Sequence, residues 1–90
     1  MLRQMQLRLF VLGHTDASLA AIRNIQSICR AASREYNLEI IDVRQSPELA
    51  ERYGIIATPT LMRVEPEPPL RFIGDLSRHG EVLEALRGAS

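Results

Sequence analysis

The sequence predicts a small α/β domain on one mixed four-stranded sheet, and three observations predict it. Short apolar runs at residues 7–12 and 38–43 flank a long amphipathic stretch, the layout of a right-handed βαβ unit with parallel strands. Ala57-Thr58-Pro59-Thr60-Leu61 puts a proline at the mouth of an apolar run, where its missing N–H costs no ladder bond. Glu65-Pro66-Glu67-Pro68-Pro69 cannot continue a ladder, so it divides two further apolar runs into an antiparallel hairpin.

Size and composition bound the function. Ninety residues support one small domain, here taken to span 1–90, and 46% apolar residues suffice for a packed core. Eleven arginines, with no lysine, balance eleven acids, so no overall field draws in nucleic acid or an anionic membrane. The apolar run at 7–12 is interrupted by Arg8 and is too short for a signal peptide or a span, which predicts a cytoplasmic protein. A single cysteine, Cys29, excludes an internal disulfide and any multi-cysteine zinc site.

Residues 1–6 read as a polar, frayed lead-in. In the first strand Leu7, Leu9 and Val11 share one face and Phe10 and Leu12 the other, the mark of an inner strand covered on both sides. Gly13-His14-Thr15-Asp16 turns into the first helix, with Thr15 or Asp16 as cap. Leu19, Ile22, Ile25, Cys29, Ala32 and Tyr36 form its apolar stripe, and Asn37 is its expected left-handed stop. Residues 38–43 form the second strand. Ser46-Pro47-Glu48 opens a short helix: serine caps, proline takes the first position, and glutamate suits the positive end of the dipole. Leu49, Ala50 and Tyr53 face inward and Gly54 ends that helix. Strands follow at 60–64 and 70–73. A last helix follows with Ser77 as cap, Val82, Leu83 and Leu86 toward the sheet, Arg87 in the last turn and Gly88 at the close.

The order β-α-β-α-β-β-α resembles that of thioredoxin-like domains, with helices in layers on both sides of the sheet. Such domains place a proline where Pro59 stands, and the resemblance implies a structural cis Thr58-Pro59 bond. Redox chemistry does not come with the fold. The reactive thiol of a thioredoxin lies at the first helix N-terminus, where the dipole lowers its pKa, and here that turn holds no sulfur. Cys29 falls mid-helix on the apolar stripe and reads as a small buried hydrophobe. His14 and His79 lack partners at metal-ligand spacing, and Asp42 reads as a solvated strand-end acid. No phosphate loop, catalytic residue, metal site or cofactor is expected, and an intact fold without such chemistry points to binding.

Five stretches carry a closer resemblance: Leu9-Phe10-Val11-Leu12-Gly13-His14-Thr15, Ile41-Asp42-Val43, Pro47-Glu48-Leu49-Ala50-Glu51, Ala57-Thr58-Pro59-Thr60-Leu61 and Ile73-Gly74-Asp75-Leu76-Ser77. Together they resemble the KaiB family of circadian clock proteins over residues 7–86, and less closely the N-terminal sensor domain of the histidine kinase SasA. The resemblance implies a metamorphic regulator, tetrameric in its ground state and thioredoxin-like as a monomer. It implies that the monomer is the form that binds the N-terminal ATPase ring of the KaiC hexamer. It implies a docking face around the second helix, with Arg44, Gln45, Pro47, Glu48, Leu49 and Arg52 as candidates. KaiA contacts would fall near Glu39 and Ile41, where no lysine stands, which suits a timer without KaiA. A SasA-like kinase would compete for the ring. Clock members commonly carry glycine and aspartate where this chain has Ala85 and Arg87. Both replacements favour the last helix, by about 1 kcal/mol and ~0.3–1 kcal/mol, so the monomer is expected over a homotetramer or dimer. A SasA-like sensor domain feeding a histidine kinase is the alternative reading.

Overall fold

A computed structural model of the chain describes residues 4–88. Seven elements follow in the expected order: β1 (Met5–Val11), α1 (Asp16–Ala32), β2 (Tyr36–Asp42), α2 (Pro47–Arg52), β3 (Thr60–Glu65), β4 (Leu70–Ile73) and α3 (His79–Gly88). The sheet order is β2-β1-β3-β4, with β1 parallel to β2 and antiparallel to β3, and β3 antiparallel to β4. β1 is therefore an inner strand, and its two faces feed two separate cores. Leu7, Leu9 and Val11 meet Ala21, Ile25 and Ile28 of α1 and Val82 and Leu86 of α3. Phe10, Ile41 and Met62 form a smaller cluster on the opposite face, closed by Leu49 and Tyr53 from α2 and its end. Each large apolar side chain so buried contributes roughly 1.5–3 kcal/mol.

Several boundaries differ from the sequence reading. Met1–Arg3 of the expected lead-in lie outside the described residues, but Met5 and Gln6 are already in β1, and Met5 is 0% exposed. Its amide donates to the Glu35 carbonyl, and core burial outweighs the polar neighbours. α1 stops at Ser33, not Asn37: Ser33 takes the left-handed conformation (φ 52°) and donates to the Arg30 carbonyl. Tyr36 and Asn37 thus belong to β2, pairing with Met5 and Gln6. Leu12 lies beyond the strand and is partly exposed. Ser46 precedes α2 and its backbone carbonyl accepts from Leu49 and Ala50, as at any helix start, but its side chain makes no cap. Ser77 does not cap α3 either. Its amide donates to Asp75 Oδ1, and the helix opens two residues later with the Arg78 carbonyl accepting from Glu81 and Val82.

The turn after β4 keeps Leu76 buried although its backbone is left-handed (φ 66°), a conformation that costs a branched residue about 1–2 kcal/mol and is held here by the core contact. The Thr58-Pro59 bond is cis, as are Glu65-Pro66 and Glu67-Pro68. Arg63 is the least expected core member. It faces α3 from β3 at 0% exposure, donating to the carbonyls of Leu86 (3.3 Å) and Pro68 (2.8 Å), and its Nε has no partner. Burial, then the charge of Arg34, lowers its guanidinium pKa below the ordinary range.

Candidate functional site

At the end of β1 the chain enters α1 through a turn occupied by hydroxyls. Thr15 caps the helix: its Oγ1 accepts from the Ser18 amide at 3.2 Å, and the Thr15 hydroxyl lies 2.9 Å from Ser18 Oγ. Ser18, wholly buried, in turn accepts from the Leu12 amide at 3.1 Å. Cys29 is buried on α1 among core residues, and burial pushes its thiol up to about 11, away from the thiolate that attack requires. His79 is engaged with Asn24 Oδ1 at 2.8 Å, tying α3 to α1.

Asp42, expected to be solvated, instead clamps the start of the neighbouring loop. Its Oδ1 accepts from the Arg44 amide (2.9 Å) and Nε (3.2 Å), and its Oδ2 accepts from Arg44 Nη2 (2.9 Å) and the Gly13 amide (3.2 Å). The Arg44 hydrogen bonds lower the carboxyl pKa to about 2, with a smaller contribution from Gly13. The guanidinium lies against Gly13, whose φ is 53°, and a methyl group there would sit 2.6 Å from Nη2. Gly13 therefore serves both the turn and the close approach.

The six-residue helix α2 follows, and none of its residues is fully buried. Arg44, Gln45, Pro47, Glu48 and Arg52 are exposed along this stretch; Leu49 is half-buried against the Phe10 cluster, so it faces outward only in part. The C-terminal end is a Schellman arrangement: Gly54 (φ 64°) donates to the Glu51 carbonyl at 3.1 Å and Ile55 to that of Ala50 at 2.9 Å. Two arginines fasten this end. Arg71 of β4 donates to the Tyr53 carbonyl and, at 3.0 Å, to the Gly54 carbonyl. Arg8 of β1 donates to the Tyr53 hydroxyl and stands 5.0 Å from its ring centroid, while pairing with Glu39 at 3.4 Å. Nothing in the sequence pattern marks Arg71 for this, since it meets α2 only through the sheet. Arg8 left one signal, a charge inside an apolar strand.

Beyond Gly54, Ile56 stands 90% exposed beside Leu12, Val43 and Ala57, around an open hollow of about 310 Å³. On β2 the residues expected near a second partner part company. Glu39 is exposed, but Ile41 is 5% exposed and packs on Phe10, so it cannot meet a partner. Ile40, on the opposite face of this edge strand beside Leu9, is 45% exposed instead. Ala85 is half-buried on α3, and Arg87 is exposed in its last turn.

Comparison with solved structures agrees with this architecture. The N-terminal domain of Synechococcus elongatus SasA superposes with a TM-score of 0.79 at 24% identity, covering 96% of this chain and 82% of that one. Thioredoxin 1 of Thermosipho africanus gives 0.74 at 22% identity over 93% and 92%. At these identities the likeness shows the fold, which is thioredoxin-like. Sequence relatives are closer. The chain is 44% identical over 81 residues to the circadian clock protein KaiB3 of Synechocystis sp., covering 89% of this chain and 79% of the relative. It is 43% identical, over 89% and 78%, to the circadian clock oscillator protein KaiB of Parasynechococcus marenigrum. A family model described as the KaiB domain matches residues 8–87, nearly the whole of the sheet and its helices, and the chain belongs to the KaiB family.

Proposed function

We propose that this chain is a non-enzymatic clock or timer regulator that docks, in its thioredoxin-like form, on the N-terminal ATPase ring of a KaiC-like hexamer. The observation that carries the reading is α2: a short helix with no fully buried residue, held at both ends yet leaving its outer face open, in a chain of this family. Arg44, Gln45, Pro47, Glu48 and Arg52 form the docking face, with Leu49 at its floor. Pro59 has a structural role behind it, and Ala85 and Arg87 bias the chain toward this form. On this reading the working species is a cytoplasmic monomer, in exchange with a homotetramer or dimer. Among the described residues no helix is long and apolar enough to cross a membrane. The buried thiol and the sulfur-free turn support a binding role over thiol chemistry.

The test is binding of the purified chain to a cognate KaiC hexamer loaded with ADP. Capture is expected, and charge reversal at both Glu48 and Arg52 should weaken it by about tenfold or more with the circular dichroism spectrum unchanged. A ring that ignores the chain in every nucleotide state refutes the reading. The SasA likeness favours a second reading, a sensor domain coupled to a histidine kinase and competing for the same ring. Co-purification with a kinase rather than the ring would select it. KaiA capture is a weaker expectation, because Ile41 is covered.

A further inference from the structure

An isolated six-residue helix has no stability of its own in water, since nucleation costs more than so few hydrogen bonds return. What keeps α2 in place is therefore what orients any surface it presents. Leu49 and Tyr53, with Ile55 just beyond the helix end, give it a small apolar footing on Phe10, Ile41 and Met62, with the Phe10 and Tyr53 rings 5.9 Å apart. Apolar contact is non-directional, so that footing does not by itself fix the helix's rotation about its own axis. The C-terminal end removes this freedom. The Schellman bonds satisfy the Ala50 and Glu51 carbonyls, and those of Tyr53 and Gly54 lie just past the helix end, where donors from the sheet can fix them. Both find a donor in one guanidinium, that of Arg71, whose fork spans two successive carbonyls as an ammonium cannot. Arg71 pairs with Met62 across β3 and β4, so its stem runs along the α2 face of the sheet and its Nη2 passes 3.9 Å from Met62 Sδ. Arg8 holds the same residue, Tyr53, from the β1 side.

We propose that Arg71 is the positioning residue of the α2 face: it fixes the angle at which Glu48 and Arg52 are presented, without belonging to that face. The consequence for partner binding rests on the docking reading above. Arg71 thereby ties the edge strand β4 to the helix, and Arg8 through Tyr53 supplies the opposing hold.

Two variants and two measurements test this. Arg71→Met keeps the stem and removes the fork; Arg71→Lys keeps the charge and reaches one carbonyl. In the free chain, Arg71→Met should speed amide hydrogen exchange at Gly54 and Ile55 by about tenfold, with Leu9 unchanged and Arg71→Lys between wild type and Arg71→Met. On the ADP-loaded hexamer, Arg71→Met should bind about tenfold more weakly, mainly through faster dissociation, and Arg71→Lys should recover part of the loss. Unchanged exchange at Gly54 and Ile55 overturns the positioning role and would make any loss of binding a direct contact. Faster exchange with full affinity for the ring overturns the link to docking. Wild-type chain that does not bind the ring at all refutes the docking reading, and the exchange arm still decides whether Arg71 holds the helix.

Discussion

Arg63→Met should make this protein more stable. The wild-type guanidinium is fully buried between β3 and the end of α3, with two carbonyl acceptors, an unpartnered Nε and no carboxylate bonded to it among the described residues. Burying such a cation costs several kcal/mol, and the bare Nε adds about 1–3 kcal/mol. The two charge-assisted bonds return about 1.5–3 kcal/mol each. Methionine fills much of the stem volume with flexible apolar atoms and removes both costs. It strands the Leu86 carbonyl, but Pro68 is exposed and its carbonyl can meet water. The balance favours methionine by about 1–2 kcal/mol, or roughly 4–16 °C in the melting midpoint of a domain this size. Arg63→Ala relieves the same charge yet leaves a hole, and should rank about 2–4 kcal/mol below Arg63→Met. Thermal and urea unfolding followed by far-ultraviolet circular dichroism gives both numbers. If Arg63→Met melts below wild type, the two carbonyl bonds outweigh desolvation and the reasoning is wrong.

Three further outcomes are expected. Asp42 has a folded pKa of about 2, below its ordinary value near 4, so its contribution is full above about pH 4 and is lost as pH falls toward 2. Asp42→Asn should flatten the stability profile across that window, read from urea midpoints at several pH values, and an unchanged slope would refute it. Cys29, with its thiol pushed up to about 11, should react with an aromatic disulfide reagent only on unfolding at pH 8, and stoichiometric labelling of the native chain would contradict its burial. Ala85→Gly combined with Arg87→Asp should weaken α3 by about 1–2 kcal/mol and raise the tetramer fraction in gel filtration. A parent chain that already elutes wholly as a tetramer defeats that expectation.

Periodicity and turn chemistry were enough for the element order, because β1, α1 and the Pro-rich turn each carry an unambiguous local signal. The boundaries were not legible where long-range packing overrides local preference. Met5 reads as lead-in until Ala21 and Leu86 are seen to need it, and Asn37 reads as a stop until Gln6 claims it for the sheet. The start of the short helix α2 could be located from Ser46-Pro47-Glu48, although the serine itself caps nothing, and a docking role for that stretch came only from the family resemblance. What holds that stretch was hidden, because Arg71 and Tyr53 meet only after four strands have been put in register. Arg63 was equally hidden: an arginine between Met62 and Val64 looks like the polar half of an alternation, and only the register opposite Leu7 turns it inward.

The thin footing of α2 also bears on how such a protein can diverge. Within the helix and its cap, Leu49 and Tyr53 tie the segment to the inner cluster, while Glu48 and Arg52 point outward and are exposed. Those two positions can be rewritten at little cost to foldedness, so whatever surface they present can drift while the scaffold beneath is inherited unchanged.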